Sequence, residues 1–298
     1  MALSFKVIFS SSPLGGTQEI TNREDKWQVM SIRGLNPPVG RINTTQLAGF
    51  DGARFNSEYI NTRNIVIMLA IKGDANANRA LLYNIFVPKR ILRIEIETDT
   101  KSVYTNAYVE TVEVNPFTFP QTMQISLICP DPYFYDQTET SATGYSFSVT
   151  NASNFGQGFN FHIAVSNTTS EVSLRGNSTS SSGTSSIVSG TPGLLDNDVP
   201  ALTVPDKIFT IVYPFVANDV IDICTVDGQK SAWLTRGGAK TNLFPYITDD
   251  SVFYQMAPSR IPGVTVGTVL NYYGQSDAQS YLSNNNSSAS WRTKYLGV

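Results

Sequence analysis

The segment from Asn64 to Tyr135 constrains the fold more than any other part of the chain. Asn64–Lys72 is a continuous apolar run of strand length, a pattern expected of a strand covered on both faces. A helix is expected over Asp74–Val87. Asp74 or Asn76 can cap it by accepting from a free backbone N–H, and Leu81, Leu82, Ile85 and Phe86 recur as one helical stripe. Pro88 ends it, because it lacks a donor and pushes Val87 out of the α region. Period-two alternation then starts at Ile91, with Ile94 and Ile96 opposing Arg93, Glu95 and Glu97. Tyr104–Val114 and Thr122–Cys129 continue in strand-like composition, and the segment closes on Cys129-Pro130-Asp131-Pro132-Tyr133-Phe134-Tyr135. One short helix among strands, with no strand–helix repeat, excludes a doubly wound parallel sheet. The expected class is mainly β. Nothing in the segment has the make-up of an active site; it reads as a module that assembles.

The rest of the chain is also β-patterned. Met1–Trp27 reads as an entry strand and turn. Val29–Phe55 is punctuated by Gly34, Asn36-Pro37-Pro38, Gly40, Gly49 and Asp51-Gly52, and is expected to be a long loop, either functional or a plain connection. Asp136–Gly144 is polar and aperiodic, which suits a linker. Two domains are therefore expected in the 298 residues, 1–136 and 137–298, with a final strand at 291–298 free to return to the first. In the second, Tyr145–Val149, Phe159–Val165, Ile208–Tyr213, Val220–Cys224, Lys230–Leu234, Ser251–Met256, Val264–Tyr273 and Trp291–Leu296 are expected strands. Asp227-Gly228 supplies a hairpin turn, and this spacing indicates a sandwich. Ser166–Gly193 is dominated by Ser, Thr and Gly, so a mobile loop is expected there, interrupted by a weak strand at Glu171–Leu174. Asn284–Ser290 reads as a polar loop.

Charged residues make up only 15% of the chain, against about 25% in ordinary soluble domains. With 21 Lys and Arg against 24 Asp and Glu, the formal net charge of −3 leaves no electrostatic footprint for nucleic acid. No apolar run reaches membrane-spanning length. Met1–Ser10 alternates like a strand and does not have the form of a signal peptide, so synthesis in a cytoplasm is expected. Cys129 and Cys224 both read as small buried strand residues in different domains, without metal-site spacing and without a disulfide.

Catalytic chemistry has little to stand on. His162 is the only histidine and falls between Phe161 and Ile163 in a strand, facing away from both. Any Ser–His–Asp unit would have to use it. Asp196-Asn197-Asp198 and Asp249-Asp250 are acidic, but neither has EF-hand spacing. There is no nucleotide loop. No enzyme activity, cofactor or metal is expected. Aromatics are abundant (16 Phe, 14 Tyr, 3 Trp). Trp233, Tyr254, Tyr272, Tyr273 and Trp291 are conceivable sugar platforms, with core or interface roles the plainer expectation.

The order of these features resembles the distal tail protein of long, non-contractile-tailed bacteriophages, the siphophage baseplate hub. An N-terminal strand leads to a Gly/Pro-bearing loop with Asp51-Gly52. Arg63 opens the apolar strand, and Gly73-Asp74 with Arg79 starts the helix. Tyr108-Val109 and Cys129-Pro-Asp-Pro-Tyr-Phe-Tyr135 follow, then Asn218–Gly228, Leu234–Leu243 and the ending Trp291–Val298. The resemblance implies an N-terminal ring-forming, tail-tube-like β-sandwich domain with one short helix and a C-terminal galectin-like β-sandwich. It implies a virion protein at the tail tip, made in the host cytoplasm. A ring, usually hexameric, would join the tail-tube protein to the tail-associated lysin or tip protein and serve as a conduit for DNA. Arg33, Arg41, Asp51, Arg63, Asp74 and Arg79 are the assembly-interface residues this view selects. The second role considered is a carbohydrate-binding, lectin-type adhesion protein. For the tail-tip protein the resemblance also implies a receptor-binding protein or host glycan as a further partner. The stretches 166–193 and 264–290 depart from the family's compact pattern.

Overall fold

The computed structural model describes residues 4–9, 16–21, 25–46, 48–49, 51–144, 146–151, 153, 155–182, 185–186, 207–253, 255, 264–273 and 286–298. The chain divides into two compact units. Met1–Gln137 with Tyr295–Val298 form the first, and Thr138–Lys294 form the second.

The first unit contains β1 (Ser4–Phe9), β2 (Gly16–Glu19), β3 (Trp27–Arg33), β4 (Gly40–Thr45), β5 (Arg54–Ile60), β6 (Arg63–Ile71), α1 (Ala75–Ile85), β7 (Ile91–Glu97), β8 (Ser102–Asn115), β9 (Thr122–Cys129) and β10 (Phe134–Asp136). Its strands are antiparallel, in the order β2-β1-β7-β8-β9-β6-β3, with β10 beside β8. The sandwich expected here takes the form of one curled sheet around a single core. Ile65, Ile67 and Leu69 of β6 meet Leu92, Ile94 and Ile96 of β7, Ile125 and Leu127 of β9, and Leu82, Ile85 and Phe86 from the helix. Trp27 is fully buried and its indole N–H donates to the Ile20 carbonyl at 2.9 Å, so the polar end of the ring is satisfied.

The helix forms where the sequence places it, trimmed at both ends. Asp74 accepts from the backbone N–H groups of Asn76 and Ala77, each at 3.1 Å. The β6 strand differs from expectation. It alternates over most of its length, with Asn64 exposed and Val66 and Met68 half-buried, and only Leu69, Ala70 and Ile71 at its end are buried consecutively. Val29–Phe55 is not one continuous loop. It holds the end of β3, all of β4 and the start of β5, and its glycines mark strand ends and turns. Gly34, Gly49 and Gly52 all have positive φ, and a Cβ on Gly34 would meet the Asn64 carbonyl oxygen at 2.0 Å.

The second unit contains β11 (Thr140–Thr143), β12 (Ser146–Asn151), β13 (Asn160–Ala164), β14 (Thr169–Ser182), β15 (Ser185–Ser186), β16 (Lys207–Phe215), β17 (Val220–Cys224), β18 (Ser231–Arg236), β19 (Ala239–Asn242), β20 (Val264–Tyr273) and β21 (Ser288–Trp291). The short β22 (Lys294–Tyr295) straddles the unit boundary. Two antiparallel sheets form, β11-β21-β13-β17-β18-β19 and β12-β20-β14-β15 with β16 on β14. Phe161, Ile163, Ile221, Ile223 and Leu234 from the first sheet and Val172, Leu174, Phe209 and Ile211 from the second share one core, which makes this unit a sandwich.

Several expectations are corrected here. The weak strand at Glu171–Leu174 extends over Thr169–Ser182, because β16 and β20 satisfy its backbone on both sides and hydroxyl side chains do not prevent pairing. The rest of the expected mobile stretch, with Asp196-Asn197-Asp198, falls largely outside the described residues. Ser251–Phe253 is not a strand. There the Ser251 hydroxyl bridges backbone instead, accepting from Thr210 N–H and donating to the Thr210 carbonyl. Thr140–Thr143 is a strand within the expected linker, and Ser288–Trp291 is one within the expected polar loop. Cys129 is buried, but Cys224 faces outward because Ile221 and Ile223 take the inner face of β17.

Candidate assembly surface

β4 and β5 pair with each other and with no other described strand. An isolated two-stranded ribbon is at best marginal in water, since nothing buries either face. All of β4 and nearly all of β5 are exposed, including Ile42, Phe55 and Tyr59. Small side-chain bridges hold the ribbon together. Asn43 Nδ2 donates to Ser57 Oγ at 3.0 Å, Asn56 Nδ2 to Thr45 Oγ1 at 2.6 Å, and Arg41 Nη1 to the Tyr59 hydroxyl at 3.4 Å.

At the base of the ribbon a cleft of about 660 Å³ is lined by Gly40, Ile42, Glu58, Tyr59, Ile60, Pro132 and Tyr133. Arg63, which bonds the carbonyl of the lining residue Pro132, is 1% exposed. Arg63 Nε donates to the Pro132 carbonyl at 2.9 Å and Nη1 to the Asn36 carbonyl at 2.7 Å. Further bonds reach the carbonyls of Gly34 and Leu296. The guanidinium also lies over the Phe134 ring, 4.1 Å from its centroid. Burial pulls the Arg63 pKa down, yet four hydrogen bonds to main-chain carbonyls keep the cation satisfied. The neighbouring Cys129 thiol is pushed up to about 11, mainly by burial. It is an inert core thiol.

A second apolar projection stands on the β8–β9 hairpin. Phe117 is 96% exposed and Phe119 103%. The turn carrying them is built by side chains. Phe117 N–H donates to Asn115 Oδ1 at 3.1 Å, and the Thr118 hydroxyl bonds to the Asn115 carbonyl at 3.0 Å and accepts from Thr122 N–H at 3.2 Å.

The residues selected from the sequence separate into two groups. Arg41 lies on the ribbon and Asp51 at its turn, both exposed, and Arg33 is exposed at the end of β3. Arg63 is drawn into the interior of its own unit. Asp74 is spent on the helix cap and Arg79 bonds Asn76 Oδ1 at 3.0 Å. The apolar residues Ile42, Phe55, Tyr59, Phe117 and Phe119 are absent from the sequence-derived set. Their signal is the Asp51-Gly52 turn between Gly40–Thr45 and Arg54–Ile60, and two Phe flanked by Pro116 and Pro120. Of the conceivable sugar platforms, Trp291 is core and Trp233 is exposed, while the side chains of Tyr254, Tyr272 and Tyr273 lie outside the described residues. Asp249 and Asp250 are exposed. Among the described residues no cluster of three or more His, Cys, Asp and Glu is placed to hold a metal ion, and no helix is long and apolar enough to cross a membrane.

A mainly β chain of this kind, with an unpartnered ribbon and an exposed apolar turn on one unit and a sandwich as the other, has the fold of the phage tail hub proteins. The Dit protein of phage SPP1, described as a paradigm of the hub adsorption apparatus in phages infecting Gram-positive bacteria, superposes with a TM-score of 0.63. It shares 14% identity over 98% of this chain and 99% of that one. A chain of the phage P2 baseplate in its activated conformation, solved with Ca and again with Sr, gives a TM-score of 0.52. There the identity is 12% over all of both chains. No protein-family model matches the sequence, and no curated protein matches it. The distal-tail resemblance in the sequence is thus shared in fold along the whole chain.

Proposed function

We propose that the protein is a structural component of a phage virion that forms a ring at the distal end of the tail. The ring joins the tail tube to the tip or baseplate proteins and provides a channel for DNA. The observation that carries this is the β4–β5 ribbon, a two-stranded element that pairs with no other described strand and whose exposed Ile42, Phe55 and Tyr59 offer a neighbouring molecule an apolar surface. A ribbon on one copy laid against a different surface of the next is a heterologous contact, and heterologous contacts that close make rings. Six copies are the number the family resemblance implies. Arg33, Arg41 and Asp51 are the exposed charges at this interface, and Phe117 and Phe119 meet the tail-tube or tip protein along the ring axis. A chain with only 15% charged residues and a net charge of −3 suits a conduit to which DNA must not adhere. The protein works by binding and has no catalytic role. The two units described above correspond to a ring-forming domain and an outer sandwich. Capture of purified tail-tube protein by this chain, lost in Phe117→Ser/Phe119→Ser, tests the axial contact. Capture of neither tube nor tip protein by the unmodified chain contradicts it.

A further inference from the structure

The outward face of the six-stranded sheet carries a row of side chains that the assembly reading leaves unused. β13, β17 and β18 alternate strictly. Phe161, Ile163, Ile221, Ile223, Ala232 and Leu234 are buried, and His162, Asp222 and Trp233 take the opposite face. The register places Ser288 opposite His162, His162 opposite Asp222, Asp222 opposite Trp233, and Trp233 opposite Asn242. With strands about 4.8 Å apart, the row crosses roughly 19 Å of the sheet.

A single exposed aromatic is ordinary on a protein surface. What distinguishes Trp233 is the company it keeps. Around it the face offers Asn160, Ser231, Thr235 and Ser290, groups that donate and accept hydrogen bonds without carrying charge. His162 Nδ1 lies 2.8 Å from Asp222 Oδ1. A carboxylate only accepts, so Nδ1 carries the hydrogen. His162 also lines a cleft of about 490 Å³ with Ser166, Asn218, Asp219 and Asn286, a size within the range of about 300–1,000 Å³ typical of small-molecule sites.

We infer that this face binds a neutral saccharide chain. The C–H face of a sugar ring packs on Trp233, and its hydroxyls, each both donor and acceptor, pair with the mixed set His162, Asp222 and Asn242 and with the flanking hydroxyls. The other macromolecular ligands fit the face poorly. An apolar protein partner requires contiguous apolar area, which this row lacks. Nucleic acid requires clustered Lys and Arg, and the row Ser288, His162, Asp222, Trp233 and Asn242 contains neither. The inference does not depend on ring formation and concerns a different unit of the chain.

The tryptophans make the test direct, because Trp27 is 0% exposed, Trp291 7% and Trp233 41%. Fluorescence of the full chain is titrated with maltohexaose, cellohexaose, chitohexaose and laminarihexaose, with affinity electrophoresis in the matching polysaccharides as a second readout. Binding of at least one sugar is expected. Trp233→Ala should weaken it about tenfold or more, with the mass of the assembly unchanged. Where Trp233→Ala disturbs folding, His162→Ala and Asp222→Asn make the same comparison at less apolar positions. No binding of any of these sugars, or binding that the substitutions leave unchanged, overturns the inference. The assembly reading is untouched by either result, since mass in solution reads it separately.

Discussion

Arg63, the first residue of β6, donates a hydrogen bond to the main-chain carbonyl of Leu296, 233 positions later. The same guanidinium reaches the carbonyls of Gly34, Asn36 and Pro132. One buried cation therefore ties together the end of β3, the turn before β4, the exit after β9 and the last residues of the chain. All of its acceptors are carbonyls, so its loss leaves four partly buried main-chain oxygens without this donor at once.

Arg63→Met is expected to destabilise the first unit by about 3–5 kcal/mol. Chemical denaturation should register this as a shift in midpoint. Arg63→Lys cannot reproduce the planar fork and is expected to recover only part of the loss. A midpoint unchanged by Arg63→Met would mean that the carbonyls find other donors.

Phe86 is buried beneath the helix with Leu82 and Ile85. Phe86→Ala should cost about 3–5 kcal/mol, as large-to-small changes in closed cores do. Leu81→Ala, at a partly buried position, should cost less. Equal effects of the two would show that the helix sits with a different stripe inward.

Asp219 is buried and accepts from Arg236 Nε at 2.8 Å and Nη2 at 2.6 Å, and from Val216 N–H at 2.8 Å. Burial alone would raise its pKa, but the bonds from Arg236 and Val216 outweigh it and hold the carboxyl below the usual aspartate value. A group whose folded pKa is depressed contributes stability above its unfolded pKa of about 3.9 and loses that contribution as the pH falls through the folded value. Asp219→Asn should therefore lower the melting temperature at neutral pH and flatten its fall on the acid side of pH 4. Parallel curves for the two proteins would contradict this.

Much of the fold is legible in the sequence, for identifiable reasons. β9 is bounded by Pro120 and Pro130, which fix its limits, and β7 alternates without interruption. The helix announces itself through the Asp74 cap and the Leu82–Phe86 stripe. The β4–β5 ribbon is obscured because both of its faces are exposed, so its alternation pairs polar with polar and leaves glycine as the strongest signal. β14 is hidden for a related reason. Its Ser/Thr composition says nothing about the two partner strands that stabilise it from distant parts of the sequence. Arg63 shows how site reading fails. Residue type and position suggest a surface contact, but only the tertiary fold reveals four carbonyls converging on it. The row His162–Asp222–Trp233 needs strand register, which no single-chain pattern supplies.

Ile42, Phe55 and Tyr59 are exposed and make no core contact, so replacing all three with Ser should leave the melting temperature of the isolated chain close to that of the parent. The effect is expected in assembly. A midpoint drop as large as that of Phe86→Ala would show that the ribbon is covered within its own molecule.

The most direct measurement is the mass of the full chain in solution by multi-angle light scattering, with negative-stain images of the same fractions. A closed ring of several copies is predicted, together with its collapse to monomer when Ile42, Phe55 and Tyr59 are replaced by Ser. A parent chain that stays strictly monomeric at high concentration, or a ring that persists unchanged after the triple replacement, would contradict the account.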